Sequence, residues 1–154
     1  MIESVQELPI SLTNNSAFIT FSNDTIRTRS AKCCNNGWLS HQEGSPLYHL
    51  LLCGYYEVTF KVIASSATAG VIALGLYEDG ILESGTTTAS TITAAGDIET
   101  LTFTKVIQVC GKANTTLAIG SVPSVPDFTN LTGPGIDTQT PIIASGNLII
   151  KKLP

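Results

Sequence analysis

The chain has 154 residues, the length of one domain, and folding at that size removes about two-thirds of the unfolded surface from water. Charged residues make up 13% of it, about half the roughly 25% usual in globular domains, against 43% hydrophobic residues, so its surface is rich in hydroxyls rather than ions. A net charge of −4 and a pI near 5.0 give no basic footprint for a phosphate backbone, and no apolar run approaches the ~20 residues of a bilayer-spanning helix, so neither nucleic acid nor membrane is expected as a partner.

At the N-terminus, Met1-Ile2-Glu3-Ser4-Val5-Gln6-Glu7 lacks a positive region followed by an apolar one, and no secretion signal is expected there. Leu8-Pro9-Ile10-Ser11-Leu12 and Ala17-Phe18-Ile19-Thr20-Phe21 read as short strands around the turn formers Thr13-Asn14-Asn15-Ser16. Residues 27–46 show no sustained period and read as an irregular connection with Trp38 as a local anchor; a strand follows at 47–52.

In Gly54-Tyr55-Tyr56-Glu57-Val58-Thr59-Phe60-Lys61-Val62, large apolar and polar residues alternate, the mark of a half-buried strand. Tyr56, Val58, Phe60 and Val62 form its interior face, and Tyr55, Glu57, Thr59 and Lys61 its other face. After a turn at 64–70, Ile72, Leu74 and Leu76 form an apolar face opposite Val71, Ala73 and Gly75, whose small size predicts close packing by something else. Asp79-Gly80 signals a hairpin, and the Thr/Ala-rich residues 84–96 suit an outer strand.

Residues 98–110 read as a long strand with Leu101, Phe103, Ile107 and Val109 on one face; Lys105 interrupts it, predicting a bulge or a special environment. A strand at 115–122 follows, and the Pro/Gly-rich stretch between Pro123 and Pro141 is too irregular for regular structure, so it predicts an exposed loop of functional type or a cap over an open sandwich end. No helix of ordinary length is signalled.

Cys33, Cys34, Cys53 and Cys110 lack the paired spacing of structural zinc and are too sparse for a disulfide framework; Cys53 and Cys110 read as small buried hydrophobes in a reducing compartment, with a disulfide formed after release as the alternative. Four sequons begin at Asn14, Asn23, Asn114 and Asn130 and matter only in a glycosylating pathway. His41 and His49 sit in no metal cassette, and no nucleophile elbow or phosphate-binding loop occurs. Glu78, Asp79 and Glu83 cluster at a turn, which holds paired carboxylates poorly. Tyr55, Tyr77 and Trp38 offer aromatic contact area, with core packing the preferred reading for each. No catalytic residue, cofactor or metal is expected.

The Gly-x-Tyr-x-apolar-x-aromatic order of residues 54–60 resembles the central strand of the tumour necrosis factor-like superfamily, which includes complement-type heads and the glycoproteins of spore surfaces. Residues 69–82 resemble its next strand and turn, and Ser145-Gly146-Asn147-Leu148-Ile149-Ile150-Lys151-Lys152-Leu153 its last strand. The resemblance implies an all-β, antiparallel two-sheet jelly-roll sandwich, a single domain over 1–154 with a loop at about 123–141, assembled as a homotrimer with the last strand near the axis. Leu148, Ile149 and Ile150 need cover on both faces of that strand, and with Ala73 and Gly75 they form the candidate trimer interface; a loop of the same chain is the alternative cover. Pro126, Phe128, Asn130, Leu131 and Pro134 form the candidate outward binding loop.

The resemblance extends to phage decoration and fibre proteins. With few charges, no signal, no stalk and no catalytic set, the expected function is a non-enzymatic virion structural protein of a bacteriophage. The preferred role is capsid decoration or head fibre, with the major capsid or another virion protein as partner and a host-surface glycan as a further one. Its place would be the virion surface, after assembly in the host bacterial cytoplasm. The alternatives are the receptor-binding tip of a tail fibre and a binding module of a bacterial or spore surface.

Overall fold

The computed structural model describes the chain except residues 7–9, 13–16, 28–36, 111–113, 128 and 131, with backbone alone at 24–27. Among the described residues the regular elements are all strands: β1 (Ile2–Gln6), β2 (Ile10–Ser11), β3 (Asn23–Arg27), β4 (Leu39–His41), β5 (Tyr48–Leu50), β6 (Gly54–Ser65), β7 (Gly70–Glu78), β8 (Ile81–Leu82), β9 (Thr88–Ile92), β10 (Glu99–Val109), β11 (Thr115–Ser121), β12 (Ser124–Val125), β13 (Ile136–Asp137) and β14 (Ile142–Lys152). One sheet has the order β10-β6-β14-β1-β3 with β2 beside β14, and the other β4-β5-β11-β7-β8 with β9 beside β7. Neighbours in space are distant in sequence, the antiparallel crossing order of a jelly-roll sandwich.

The alternation of β6 fixes this arrangement. Tyr56, Val58, Phe60, Val62 and Ala64 are fully buried, while Tyr55, Glu57, Thr59, Lys61 and Ile63 face away. On one side β10 pairs with it without a register shift from Glu99↔Ala64 to Val109↔Gly54; on the other, β14 pairs with one irregularity between Ile143 and Ser145. Leu148 and Ile150 join the same interior, which Leu50, Ile72, Leu74, Leu76 and Ile119 close from the opposing sheet. The β7–β8 hairpin turns on Asp79 and Gly80 with φ of 49° and 80°, both in the left-handed region that two-residue hairpin turns require.

Several expectations are corrected. The first strand is Ile2–Gln6, whose inward residues include Ser4 and Gln6; with polar side chains on the buried face, no hydrophobic alternation marks it. Gln6 is satisfied there by accepting the Ser22 amide on its Oε1 at 3.1 Å. The expected strand at 17–21 is instead an extended segment with one isolated bridge, Phe18↔Gly120, although Ile19 and Phe21 are core residues. The connection at 27–46 contains β4, and Trp38 is an anchor there, its ring 5.6 Å from that of Tyr56.

Lys105 produces no bulge. It sits opposite Val58 on the interior-facing side of β10, and its ammonium reaches the rim between the sheets, donating to Glu83 Oε1 at 2.9 Å and to the Ser84 carbonyl.

Phe60 is fully buried with its ring edge-to-face against Phe103, centroids 4.4 Å apart. Phe60→Ala is therefore expected to cost about 3–5 kcal/mol in denaturant unfolding. A midpoint and slope equal to those of the parent would contradict this packing.

Candidate functional site

Register partners in a sheet share a face, so the outward side of the β10-β6-β14-β1 sheet can be read row by row. Glu3, Ile149, Thr59 and Thr104 form one row, and Lys151, Glu57 and Val106 the next. Thr59 and Thr104 join their hydroxyls at 2.9 Å, and Asn147 Nδ2 donates to Glu3 Oε1. Tyr55 and Val106 stand 50% and 49% exposed on this face. An open depression of about 420 Å³ at its other end is lined by Val5, Lys61, Ile63 and Asn147, among others.

The opposite sheet covers its own outer face. Gly120 and Gly75 are register partners, and a Cβ on either would fall about 2.5 Å from a side chain of the same chain: Phe18 over Gly120, Leu82 over Gly75. Phe18 also meets Tyr77 edge-to-face at 5.1 Å, and the Tyr77 hydroxyl donates to the Ser121 carbonyl at 2.8 Å. Ala73 packs with Val122 and Val125 in a second small core. The close packing inferred from the small residues is present, and its source is this chain.

Ala73, Gly75, Leu148 and Ile150 are thus buried within the single chain and offer no open interface, which corrects their expected role. Ala73 and Gly75 lie beneath Leu82, Val122 and Val125, and Leu148 and Ile150 point into the sandwich. Of the five, Ile149 faces outward. Tyr55 is likewise half exposed rather than packed in the core.

The loop at 123–141 is more ordered than its composition suggests. Strands β12 and β13 pair as Ser124↔Asp137 and Val125↔Ile136, Val125 and Thr138 are buried, and the Thr138 hydroxyl donates to the Val122 carbonyl at 2.5 Å. Composition hides this because the anchoring bonds run to distant backbone, as from the Gln139 amide to the Val71 carbonyl at 2.6 Å. Pro126, Asn130 and Pro134 are exposed at the tip; Phe128 and Leu131 lie outside the described residues. The Asp127 carboxylate accepts from the Thr129 hydroxyl at 2.7 Å and the Thr129 amide at 2.8 Å, and these bonds hold its pKa below the ordinary aspartate value.

Other polar groups are engaged structurally. Asp79 accepts from the Thr116 amide and hydroxyl, Glu83 pairs with Lys105, and His49 Nδ1 donates to Asn114 Oδ1 at 3.1 Å. The His41 ring stacks on Tyr48 at 3.9 Å, and its Nε2 donates to the Ser45 carbonyl at 3.0 Å. Among the described residues no three His, Cys, Asp or Glu side chains gather as a metal site. Cys53 and Cys110 are exposed and free, contrary to the expectation of burial, because each lies just past the end of its strand; Cys33 and Cys34 lie outside the described residues.

No protein-family model and no curated protein matches the sequence. Solved structures do match the fold. The globular domain of zebrafish complement 1qA is similar at 10% identity and a TM-score of 0.54, over 96% of this chain and 94% of that one. Eiger TNF from S. frugiperda is similar at 12% identity and 0.56, over 99% and 92%. Murine APRIL at pH 5.0 is similar at 9% identity and 0.51, over 99% and 100%. The chain has the tumour necrosis factor/C1q-like jelly-roll fold; at such identities the likeness extends to the fold alone.

Deleting residues 129–134, so that 126–128 and 135 connect β12 to β13, should preserve cooperative unfolding, whereas Thr138→Val should cost about 1–2 kcal/mol by leaving a buried carbonyl unpaired. Because the Asp127 pKa is depressed on folding, its bonds to Thr129 contribute above the unfolded-state pKa and are lost as pH falls through the folded one. The Thr129 amide resonance should titrate with a midpoint below that of an ordinary aspartate, and Asp127→Asn should abolish the titration.

Proposed function

We propose that this chain is a non-enzymatic structural protein of a bacteriophage particle, a capsid decoration or head-fibre protein that acts as a homotrimer on the virion surface. The observation that carries the reading is the outer face of the β10-β6-β14-β1 sheet, where Tyr55, Thr59, Thr104, Val106 and Ile149 form a broad surface of hydroxyls and apolar side chains interspersed with Glu3, Glu57 and Lys151. A neighbouring copy covers such a face by packing on its apolar and hydroxyl side chains while pairing the Glu3, Glu57 and Lys151 charges among them, and three heterologous contacts close into a ring. These five residues replace the interface expected from the sequence, with Ile149 common to both.

Assembled in this way in the host bacterial cytoplasm, the trimer would rest on the major capsid protein or another virion protein. The loop tip with Pro126, Asn130 and Pro134 is then the part free to meet a host-surface glycan. The low charge of the chain suits permanent packing on a particle. The readings kept beside this one are the receptor-binding tip of a tail fibre and a binding module of a bacterial or spore surface.

Light scattering at micromolar concentration should give a mass roughly three times the 16.2 kDa of the chain. Val106→Arg and Ile149→Asp should lower that mass while leaving the β-sheet circular dichroism unchanged. A parent protein that is a stable monomer would refute the trimer. Gold-labelled antibody against the chain should decorate phage heads; label on tail tips, or on the cell or spore envelope, would replace the capsid role with one of the alternatives.

A further inference from the structure

The ladder between β6 and β10 ends with the pair Gly54↔Val109. The next residue outward on each strand is a cysteine, so Cys53 and Cys110 flank the last pair, and the same antiparallel register carried one step further, past Gly54 with its φ of 149°, would set them opposite each other. Directly opposed residues of an antiparallel pair have Cα atoms about 4.5–5.5 Å apart, within the roughly 4.4–6.8 Å that a disulfide spans. Both thiols are free and exposed.

We infer that Cys53 and Cys110 form a cross-strand disulfide site, oxidised by a low-molecular-weight disulfide from solvent and serving to clamp the open end of β10 to β6. The backbone beside each thiol is already fixed. Val109 is buried, and Tyr56, also buried, donates its hydroxyl to the Leu52 carbonyl at 2.5 Å, tying down the segment that carries Cys53. Burial, and after it the nearby Cys53 thiolate, holds the Tyr56 phenol above its ordinary pKa, which sets Cys53 close to this anchor.

The chemistry is two successive exchanges. One cysteine thiolate attacks the reagent disulfide, forming a protein–reagent S–S bond and expelling one reagent thiolate. The second cysteine thiolate attacks the protein sulfur of that mixed disulfide, forming the Cys53–Cys110 bond and expelling the other. The two protons lost by the cysteines end on the expelled thiolates, so two protein thiols are oxidised and one reagent disulfide is reduced to two thiols. The bond joins positions far apart in sequence, and a long closed loop restricts the unfolded chain strongly.

The test is to incubate the folded protein with oxidised glutathione, quench in acid, alkylate, digest without reductant and map the peptides by mass. The expected product is one linked pair of peptides containing Cys53 and Cys110, lighter by two hydrogens than the separate thiols, with a Tm higher by roughly 5–10 °C that reverts on reduction. In the C110S variant Cys53 should be recovered as a glutathione adduct, and in a C33S/C34S variant the link should persist. Recovery of Cys53 and Cys110 from the parent as separate adducts or free thiols, or joined to Cys33, Cys34 or a second molecule, would overturn the assignment.

Discussion

Everything in this molecule depends on one strand that is apolar on one face and polar on the other while being paired along both edges. β6 lies between β10 and β14, so its backbone groups are spent in the sheet and only its side chains distinguish inside from outside. A one-residue slip would send Phe60 and Val58 into solvent and bury Glu57 and Lys61, an exchange no local repacking could absorb. The aromatic pair of Phe60 and Phe103 adds directional preference, about 0.5–1.5 kcal/mol beyond burial, to a register that hydrophobicity already enforces.

The two outer faces of the sandwich are finished differently. On the β5-β11-β7 side, small residues at positions 73, 75 and 120 make a trough that the chain fills with its own Phe18, Leu82 and Val122. On the β6-β10-β14 side, full-sized threonines, a valine and a tyrosine stand out from the sheet. Side-chain volume thus decides which face the chain finishes with its own side chains.

The parts of the fold legible in the sequence are those where burial and hydrophobicity coincide. The alternation at 54–62 and the Asp79-Gly80 turn are of this kind, and the long strand at 98–110 could be read in the same terms, whereas the last strand, read over 145–153, came through the resemblance and begins earlier, at Ile142. β1 was not legible because its inward Ser4 and Gln6 are polar, and the order in the 123–141 segment was not because it rests on backbone bonds to distant strands. The candidate interface was misread for a related reason. Small residues announce that something packs closely, yet their size carries no information on whether the occupant is the same chain or another.

Lys105 has a consequence for the edge on which it lies. Among the described residues β10 is the last strand of its sheet, and an edge strand is the place from which strand-by-strand aggregation grows. A lysine aimed at the interior side of such a strand, held at the rim by Glu83 and the Ser84 carbonyl, sets a charge where an added strand would need apolar cover. What reads as a flaw in the hydrophobic pattern acts as a guard: it discourages indiscriminate growth along the edge while the broad face of the same sheet remains open.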